Sequence, residues 1–434
     1  MSVESVTSPE SVKSTAASAE ETRRVEHLRV LEEALREQWR LGQNIMLCWC
    51  LQEEGIYVMV VPHYYLGQFS ASLSDNAPTD RLELLNGRFI RQLVSSKRLL
   101  STEDFFSTAH RLEIEPMLIL SPVNASSDEA TLAAAEELIK RYSISYVDSR
   151  AVLLFDIVDF SLYSPFEQTS QLNSLSYSMN SAHSKLLKKN IKIDFARTTT
   201  GDGFYVWNRS LEPRASLDLF QFMPLVIADN AIARRKARGT NNVVPLLRTA
   251  FHIGSHFEFY QVEGCNPTLH SYIVGDVTIE LARMVDIAHP GQIFVGDFKT
   301  VVPTSLRDSA FLVEADAPHF VERVGKHVES LQGLELSGEC IETLHCQLSG
   351  ETGVSAGQKI RRFRITDKHG LTRHAYNLRI NIHTSGSRRP LILGIQGYYL
   401  PKPDARRGRR STDVDAKAAS LRRHHPSVLP EKDK

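Results

Sequence analysis

Residues 151–158, AVLLFDIV, are apolar except for one acid, and no other stretch constrains the fold of this chain as strongly. An apolar run of this length is typical of a strand that is buried on both faces. Asp156 interrupts the run, and an ionised carboxylate in an apolar core is costly unless it is protonated, paired, hydrogen-bonded or bound to a cation. On a strand, Asp156 shares its face with Leu154, whereas Asp159 lies on the opposite face.

The composition limits the class of protein. The 434 residues suffice for two or three domains, and a hydrophobic fraction of 42% supports sizeable cores. The 51 Lys and Arg residues balance the 51 Asp and Glu residues, so no overall field favours nucleic acid or an anionic membrane. The first twenty residues lack the apolar core of a signal peptide, and apolar runs such as 55–62 are far shorter than the roughly 20 residues of a membrane span. We therefore expect a cytoplasmic protein without a nucleic-acid or membrane partner.

The predicted elements indicate an α+β protein with an additional N-terminal region. Residues 1–20 and 396–434 are polar or charged, and we expect both termini to be disordered, the second as a basic tail. Between residues 21 and 144, helical periodicity flanks apolar strands near 45–66. This pattern predicts a mixed helical region that regulates the following domain or supports its dimer.

From residue 145 to 395 the predicted order is β-α-β-β-α-β-α-β, a ferredoxin-like sheet with flanking helices. Residues 300–357 are less regular, and two alternating strands follow around a turn at 368–370. The sequence leaves open whether this last hairpin closes the preceding sheet, which makes 300–357 an insertion, or begins a separate domain.

A second isolated acid, Asp202, lies between Gly201 and Gly203 and joins two β-rich runs. Asp-Gly between alternating runs is a strong signal for a hairpin. If this hairpin pairs with the strand of Asp156, the two carboxylates converge and can hold hard divalent cations, which in turn can bridge a triphosphate. Each acid alone has a plainer interpretation, because Asp-Gly is a common turn and an acid at a strand end often pairs with an arginine.

Three motifs resemble those of the class III nucleotide cyclases, in the order of that family. LFDIVDFS (154–161) resembles F-x-D-I-x-G-F-T, and TTTGDGFYVW (198–207) is similar to the metal-binding hairpin of the family. VGDVTIELARMVDIAHPGQIFVG (274–296) resembles G-D-x-V-N-x-A-x-R followed by A-x-P-G-Q-I. The resemblance implies the ferredoxin-like cyclase sheet and a nucleoside triphosphate substrate.

Carried over residue by residue, the resemblance implies a site for two Mn²⁺ or Mg²⁺ ions. Asp156 and Asp202 are then the metal-binding acids, and the backbone carbonyl of Ile157 is a further ligand. Backbone amides after the strand would face the phosphates, since a turn into a helix presents unpaired N–H groups. The implied phosphate-binding amides are those of residues 158–161, among them Val158, Phe160 and Ser161.

The resemblance also implies a homodimer with shared sites. Arg283 falls on the arginine that stabilises the transition state, and in this family it reaches the site from the partner chain. Lys368, in the last hairpin, corresponds to a polyphosphate contact, although an ordinary solvated turn lysine fits it equally well.

Three positions depart from the purine cyclases. Ile279 stands where the family has the asparagine that orients the ribose, Thr198 replaces the base-reading lysine or glutamate, and Tyr272 stands at the second base-reading position. This pattern favours a pyrimidine substrate, UTP over CTP, as in the uridylate and cytidylate cyclases of Pycsar antiphage systems, whose product signals to a separate effector. A purine cyclase with unusual base recognition and a catalytically inactive nucleotide-binding module remain as alternatives. Asp159 replaces a family glycine, and we expect it to be structural or an N-cap.

Overall fold

The computed structural model describes residues 9–40, 42–71, 79–239, 243–263, 268–304, 311–352, 358–367 and 370–395. Within this part the helices are α1 (Pro9–Trp39), α2 (Tyr65–Ala71), α3 (Thr79–Ser95), α4 (Thr102–Leu112), α5 (Glu129–Lys140), α6 (Pro165–Lys188), α7 (Ala215–Lys236), α8 (Asp276–Ile287) and α9 (Ala317–Val328). None of these helices, within the described residues, combines the length and apolar character needed to cross a bilayer.

The strands come in the same chain order. They are β1 (Asn44–Leu51), β2 (Gly55–Pro62), β3 (Met117–Leu120), β4 (Ile144–Ile157), β5 (Phe195–Thr199), β6 (Gly203–Asn208), β7 (Leu247–Glu263), β8 (Thr268–Val274), β9 (Ile293–Gly296), β10 (Lys299–Pro303), β11 (Leu312–Asp316), β12 (Glu335–Leu336), β13 (Glu339–Leu348), β14 (Gly350–Thr352), β15 (Gln358–Ile360), β16 (Arg362–Thr366), β17 (Thr372–Thr384) and β18 (Leu391–Leu393).

The N-terminal part forms an antiparallel sheet with the order β1-β2-β3. One face packs against α1 and α5 around Leu35 and Trp49. The other face packs against α2, α3 and α4 around Phe105, and this second core continues onto β4 and β7 through Ile144 and Phe257. The N-terminal layer is therefore seated on one end of the main sheet by shared apolar packing.

Helix α1 begins at Pro9, inside the segment that the sequence predicts to be disordered. Residues 9–20 include Ala16, Ala17 and Ala19, and Ala has the highest helix propensity. The expected disorder through residue 20 therefore does not hold for residues 9–20. Residues 1–8 and the predicted basic tail at 396–434 lie outside the described residues.

The main sheet has the order β12-β13-β17-β9-β7-β4-β6-β5. Along this path β7 and β9 pair in parallel. The pairs β13–β17, β17–β9, β7–β4, β4–β6 and β6–β5 are antiparallel. Strand β4 lies between β7 and β6, as its apolar sequence predicts. A mixed sheet with helices on both faces confirms the predicted α+β class.

The two faces of β4 bury different cores. Leu153 and Phe155 pack into the core that holds α6, α7 and α9. Val152 and Leu154 pack on the other side, against the core side chains of α8. Asp156 follows the second set in the alternation and lies on the α8 side of the sheet.

Residues 300–357 contain more regular structure than the sequence predicts. They include the antiparallel pair β10 and β11, helix α9, and β13, which pairs with β17 inside the main sheet. A shift in register between Ile341 and Thr343 breaks the alternation of β13, so its sequence does not display a clean strand period. Strand β8, which pairs with β7, was also not predicted.

Strand β17 answers the question about the last hairpin. It pairs with β16 across the turn, with β13 on one side and with β9 on the other. The hairpin is therefore part of the main sheet, and the chain between β9 and β17 adds strands to that sheet.

Candidate active site

Asp156 and Asp202 lie at the same end of the paired strands β4 and β6. Asp156 is opposite Gly203, the first residue of β6. Asp202 precedes it, and its backbone carbonyl accepts a hydrogen bond of 2.9 Å from the N–H of Ile157. The structure thus brings together the two acids that the sequence singles out, on the hairpin that the Asp-Gly step predicts.

Gly203 allows the hairpin to approach β4 this closely. A Cβ atom at this position would lie 1.9 Å from the carbonyl oxygen of Phe155. Gly201, in the turn itself, has φ +99°, a conformation that side-chain-bearing residues rarely adopt. The two glycines around Asp202 therefore have separate roles, one in the turn and one in the contact between strands.

The carboxyl group of Asp156 is buried, with 7% of the residue exposed. Burial raises its pKa to about 6, the neighbouring Arg248 opposes this rise, and the negative charges of Asp202 and Asp286 add to it. A cation bound between the two acids would offset both the desolvation and the repulsion. The surroundings are those of a carboxylate that gains from a bound cation.

Arg248 is the counter-ion of Asp156, and it was not among the residues singled out from the sequence. It lies directly opposite Asp156 in the register of β4 and β7. Its Nε donates to Oδ2 of Asp156 at 2.7 Å, and its Nη2 lies 2.5 Å from the same oxygen. Oδ1 has no hydrogen-bond partner within the described residues. A lone arginine in the apolar run LLRTAF (246–251) is the signal that could have revealed this pair.

The donor set around these acids fits a hard divalent cation. Within the described residues, no three or more His, Cys, Asp or Glu side chains come together to hold a metal ion. Two carboxylates with a backbone carbonyl, that of Ile157, form the kind of sparse oxygen set through which Mg²⁺ binds together with substrate phosphates. The residues therefore fit an ion that is completed by a polyphosphate better than an ion held by the protein alone.

The turn after β4 presents fewer free amides than the sequence predicts. The N–H of Val158 donates to the carbonyl of Leu246 at 2.9 Å, so this amide is not free to make the phosphate contact that was predicted for it. The amides of Asp159, Phe160 and Ser161 make no backbone hydrogen bond within the described residues. These three N–H groups remain available to an anion.

Asp159 adopts φ 56°, a left-handed conformation. Asp tolerates this conformation better than most residues that carry a side chain. Its side chain makes no capping hydrogen bond, so the N-cap role is not found. Helix α6 is capped instead by Ser164 and Glu167, which bond reciprocally.

Arg283, on α8, is held by acids of its own chain. Its Nη1 donates to Asp286 at 3.1 Å, and its Nε lies 3.9 Å from Oδ2 of Asp367. Asp367 also accepts from Arg373 at 2.9 Å, and Arg373 reaches Glu280 at 2.6 Å. Alternating charges therefore fix α8 to the last hairpin. None of these acids was singled out from the sequence.

The structure brings Arg283 to the loop in which Lys368 was predicted to act. Asp367 is the residue before Lys368, and Asp367 lies beside Arg283. Lys368 itself lies outside the described residues.

Thr198 and Tyr272 lie on β5 and β8, two strands that are not paired in the sheet but lie against each other. Their neighbours Ala196 and Ile273 share one apolar core. Tyr272 stacks on Phe259 of β7, with ring centroids 5.7 Å apart. The structure therefore places the two predicted base-reading positions in one region.

Helix α8 links the two groups of residues. Its core side chains pack on the face of β4 that carries Asp156. Asp286, near its end, is close enough to raise the pKa of Asp156 and also bonds Arg283. Ile279, one turn before Arg283, is 45% exposed and offers no polar group to a ribose.

No protein-family model and no curated protein matches this chain. Among solved structures, the guanylyl cyclase Cya2 is similar at 11% identity and a TM-score of 0.33, over 54% of this chain and 92% of that chain. The adenylyl cyclase CyaB from P. aeruginosa is similar at 13% identity and a TM-score of 0.31, over 57% and 99%. The guanylate cyclase domain of RhGC from Catenaria anguillulae, solved in complex with GTP, is similar at 12% identity and a TM-score of 0.31, over 54% and 97%.

Proposed function

We propose that this chain is a nucleotide cyclase that converts a pyrimidine nucleoside triphosphate, UTP in preference to CTP, to the 3′,5′-cyclic monophosphate and pyrophosphate. One observation carries the proposal. The buried carboxyl of Asp156, whose pKa lies near 6, meets Asp202 across the contact at Gly203. The amides of Asp159, Phe160 and Ser161, which donate to no backbone carbonyl among the described residues, follow directly after β4.

In the proposed reaction the ribose 3′-oxygen attacks the α-phosphorus. The O3′–Pα bond forms, the bond from Pα to the bridging oxygen of the β-phosphate breaks, and pyrophosphate leaves. The hydroxyl proton goes to solvent, since no side chain is assigned as a general base. Asp156, Asp202 and the carbonyl of Ile157 would hold Mn²⁺ or Mg²⁺, which supplies the positive charge that favours the ionised hydroxyl and the crowded phosphates.

The residues of the chain position the triphosphate. The amides of the turn after β4 are proposed to bind phosphate oxygens, as N–H groups at a helix start do. Arg283 of the partner chain in a homodimer would stabilise charge on the reacting phosphate, because a guanidinium stays charged at any working pH.

Base selection is assigned to Thr198 and Tyr272. Tyr272 lies at the end of β4 that is remote from Asp156 of its own chain, so in the homodimer it would reach the nucleotide from the chain that supplies Arg283. The phenol of Tyr272 can donate or accept one hydrogen bond, and its ring is proposed to fill space that a purine base would need. Thr198 offers a hydroxyl group to the base, where a lysine or glutamate would offer a charged group. The cyclic product is proposed to act in antiphage defence on a separate effector that responds to it.

The Arg248–Asp156 ion pair favours one alternative, a nucleotide-binding module without catalysis. In that case Arg248 is the permanent partner of Asp156, and the chain binds a nucleotide without converting it. A purine cyclase that recognises its base by other groups is the second alternative.

Product identity separates these functions. The full chain is incubated with Mn²⁺ and with ATP, GTP, CTP or UTP in parallel, and the products are identified by mass spectrometry. We expect cyclic UMP as the main product and cyclic CMP as the next. A dominant cyclic AMP or cyclic GMP product would overturn the pyrimidine assignment. Absence of any cyclic product, with nucleotide binding retained, would establish the binding module.

A further inference from the structure

A cavity of about 640 Å³ lies between the N-terminal layer and the main sheet. Its walls come from α1, β1, α2 and α3 on one side and from the first residues of β4 with β7 and β8 on the other. The cavity adjoins Ile144, the first residue of β4, whereas Asp156 is near the last. At about 3.3 Å per residue, the cavity and Asp156 are about 40 Å apart along the strand. The cavity is therefore separate from the metal-binding acids.

The lining has the chemistry of a small-molecule site. It includes the rings of Trp39, Tyr142 and Phe259, and no Asp, Glu, Lys or Arg among the described residues. Protein sites of this type have volumes of about 300 to 1,000 Å³ and combine an apolar lining with a few polar groups. Such a lining favours an uncharged aromatic molecule, because a charged one would lose its hydration without gaining a counter-ion.

One polar group in the lining is free to orient such a molecule. Asn44 uses its amide N–H to bond the carbonyl of Gln38 at 2.7 Å, which leaves its side-chain oxygen without a partner within the described part of the chain. A ligand with one N–H or O–H group on an aromatic frame satisfies both the shape and the polarity of the cavity.

Phe259 connects the cavity with the proposed base-reading region. It lines the cavity and stacks on Tyr272, with an angle of 20° between the rings. Val274, two residues after Tyr272, lines the cavity as well. A ligand in the cavity would therefore pack against the aromatic ring that supports Tyr272.

We propose that this cavity binds a small, uncharged aromatic molecule that regulates nucleotide binding through Phe259 and Tyr272. The regulatory part rests on the proposed function. A bound ligand restricts the motion of the Phe259–Tyr272 stack. Less conformational entropy is then lost when a nucleotide binds, so KM for the nucleotide falls.

The binding part is tested with the fluorescent dye N-phenyl-1-naphthylamine, an uncharged aromatic amine, and the full chain. We expect saturable binding of one dye per chain. Gly67 lines the cavity from α2, and a Cβ atom added there meets no atom within 4 Å, so Gly67→Phe can occupy the mouth without backbone strain. This variant should weaken dye binding at least about tenfold.

Gly87→Phe is the matched control, since Gly87 lies on α3 outside the lining and a Cβ atom there meets only Nη2 of Arg91, at 3.9 Å. It should leave the dye affinity unchanged. Equal affinity in both variants, or no saturable binding to the wild type, would overturn the proposal. Thermal unfolding of each variant establishes that it is folded before the affinities are compared, and Val274→Trp, at an exposed position of the lining, replaces Gly67→Phe if that variant does not fold.

The regulatory part is tested by measuring KM and kcat for the preferred nucleotide with and without saturating dye. We expect KM to fall about threefold with kcat little changed. Tyr272→Leu, which lies outside the lining and removes the ring stacked on Phe259, should keep dye binding and abolish the change in KM. An unchanged KM in the wild type overturns regulation through Tyr272, while failure of the proposed function appears as no cyclic product from any nucleotide with dye binding intact.

Discussion

Arg248 binds Oδ2 of Asp156 from the neighbouring strand and leaves Oδ1 without a partner among the described residues. The pair places a positive charge where a metal ion is proposed to bind. Arg248 therefore acts as a stand-in for the ion when none is present, and an incoming cation must share the carboxylate with it or displace it.

Arg248→Ala should change metal binding in opposite directions at two pH values. Arg248 lowers the pKa of Asp156, so its removal raises that pKa above about 6 and weakens Mn²⁺ binding near pH 6, where more Asp156 is protonated. Near pH 8.5 Asp156 is ionised in both proteins, and loss of the competing cation should tighten Mn²⁺ binding by up to about tenfold. Titration of free Mn²⁺ by electron paramagnetic resonance measures both affinities. Weaker binding at both pH values would mean that Arg248 supports the ion.

The wild-type protein should lose affinity for Mn²⁺ as the pH falls through about 6, the pKa of Asp156. Only the ionised carboxylate binds a cation, so each pH unit below that value costs about tenfold in affinity. Cyclase activity should fall over the same range. Removal of the metal with EDTA should abolish activity at every pH and leave the fold intact. An affinity that stays constant from pH 7 to pH 5 would contradict the role of Asp156.

Asp156→Asn should abolish activity without lowering stability at pH 7.5. The pKa of Asp156 is raised in the folded protein, so folding favours the neutral carboxyl, and the ionised form destabilises the native state above pH 6. Asn mimics the neutral form. Its melting temperature should equal or exceed that of the wild type above pH 6, and the difference should vanish below about pH 4, where Asp is protonated in both states. A large drop in melting temperature at pH 7.5 would show that the Arg248 ion pair is needed for folding.

Mixing two inactive proteins tests the shared site. Asp156→Ala and Arg283→Ala each remove one part of the site, and an equal mixture of exchanging dimers contains about one half heterodimers, each with one complete site. The mixture should recover about one quarter of the wild-type activity. If Arg283 serves the site of its own chain, every site in the mixture lacks one group and no activity returns.

Asp159→Gly should stabilise the protein slightly and leave Mn²⁺ binding unchanged. Asp159 holds φ 56°, which glycine adopts without the contact that a Cβ makes, and its side chain caps nothing. We expect a gain of up to about 1 kcal/mol in the free energy of unfolding, measured in urea, and a loss of similar size for Asp159→Ala. Loss of Mn²⁺ binding in Asp159→Gly would instead identify this acid as a ligand.

The central position of β4, the partition of its faces and the hairpin at Asp202 could all be predicted because each leaves a local pattern. Arg248 could not be assigned in the same way, since it is 92 residues from Asp156 and its role depends on the register of β4 with β7. The same applies to Val158, whose N–H is taken by the carbonyl of a distant residue. Patterns within one strand predict burial and turns, whereas the partners across strands follow from the register.

Gly203 has a consequence for recognising chains of this kind. A Cβ atom at this position would collide with the backbone of β4. The short distance between the strands that carry the two acids therefore requires a residue without a side chain. A chain that keeps both acids and carries any larger residue at this position has its hairpin displaced and its acids parted. The glycine should therefore be weighed as heavily as the carboxylates when such a site is sought or built into another sheet.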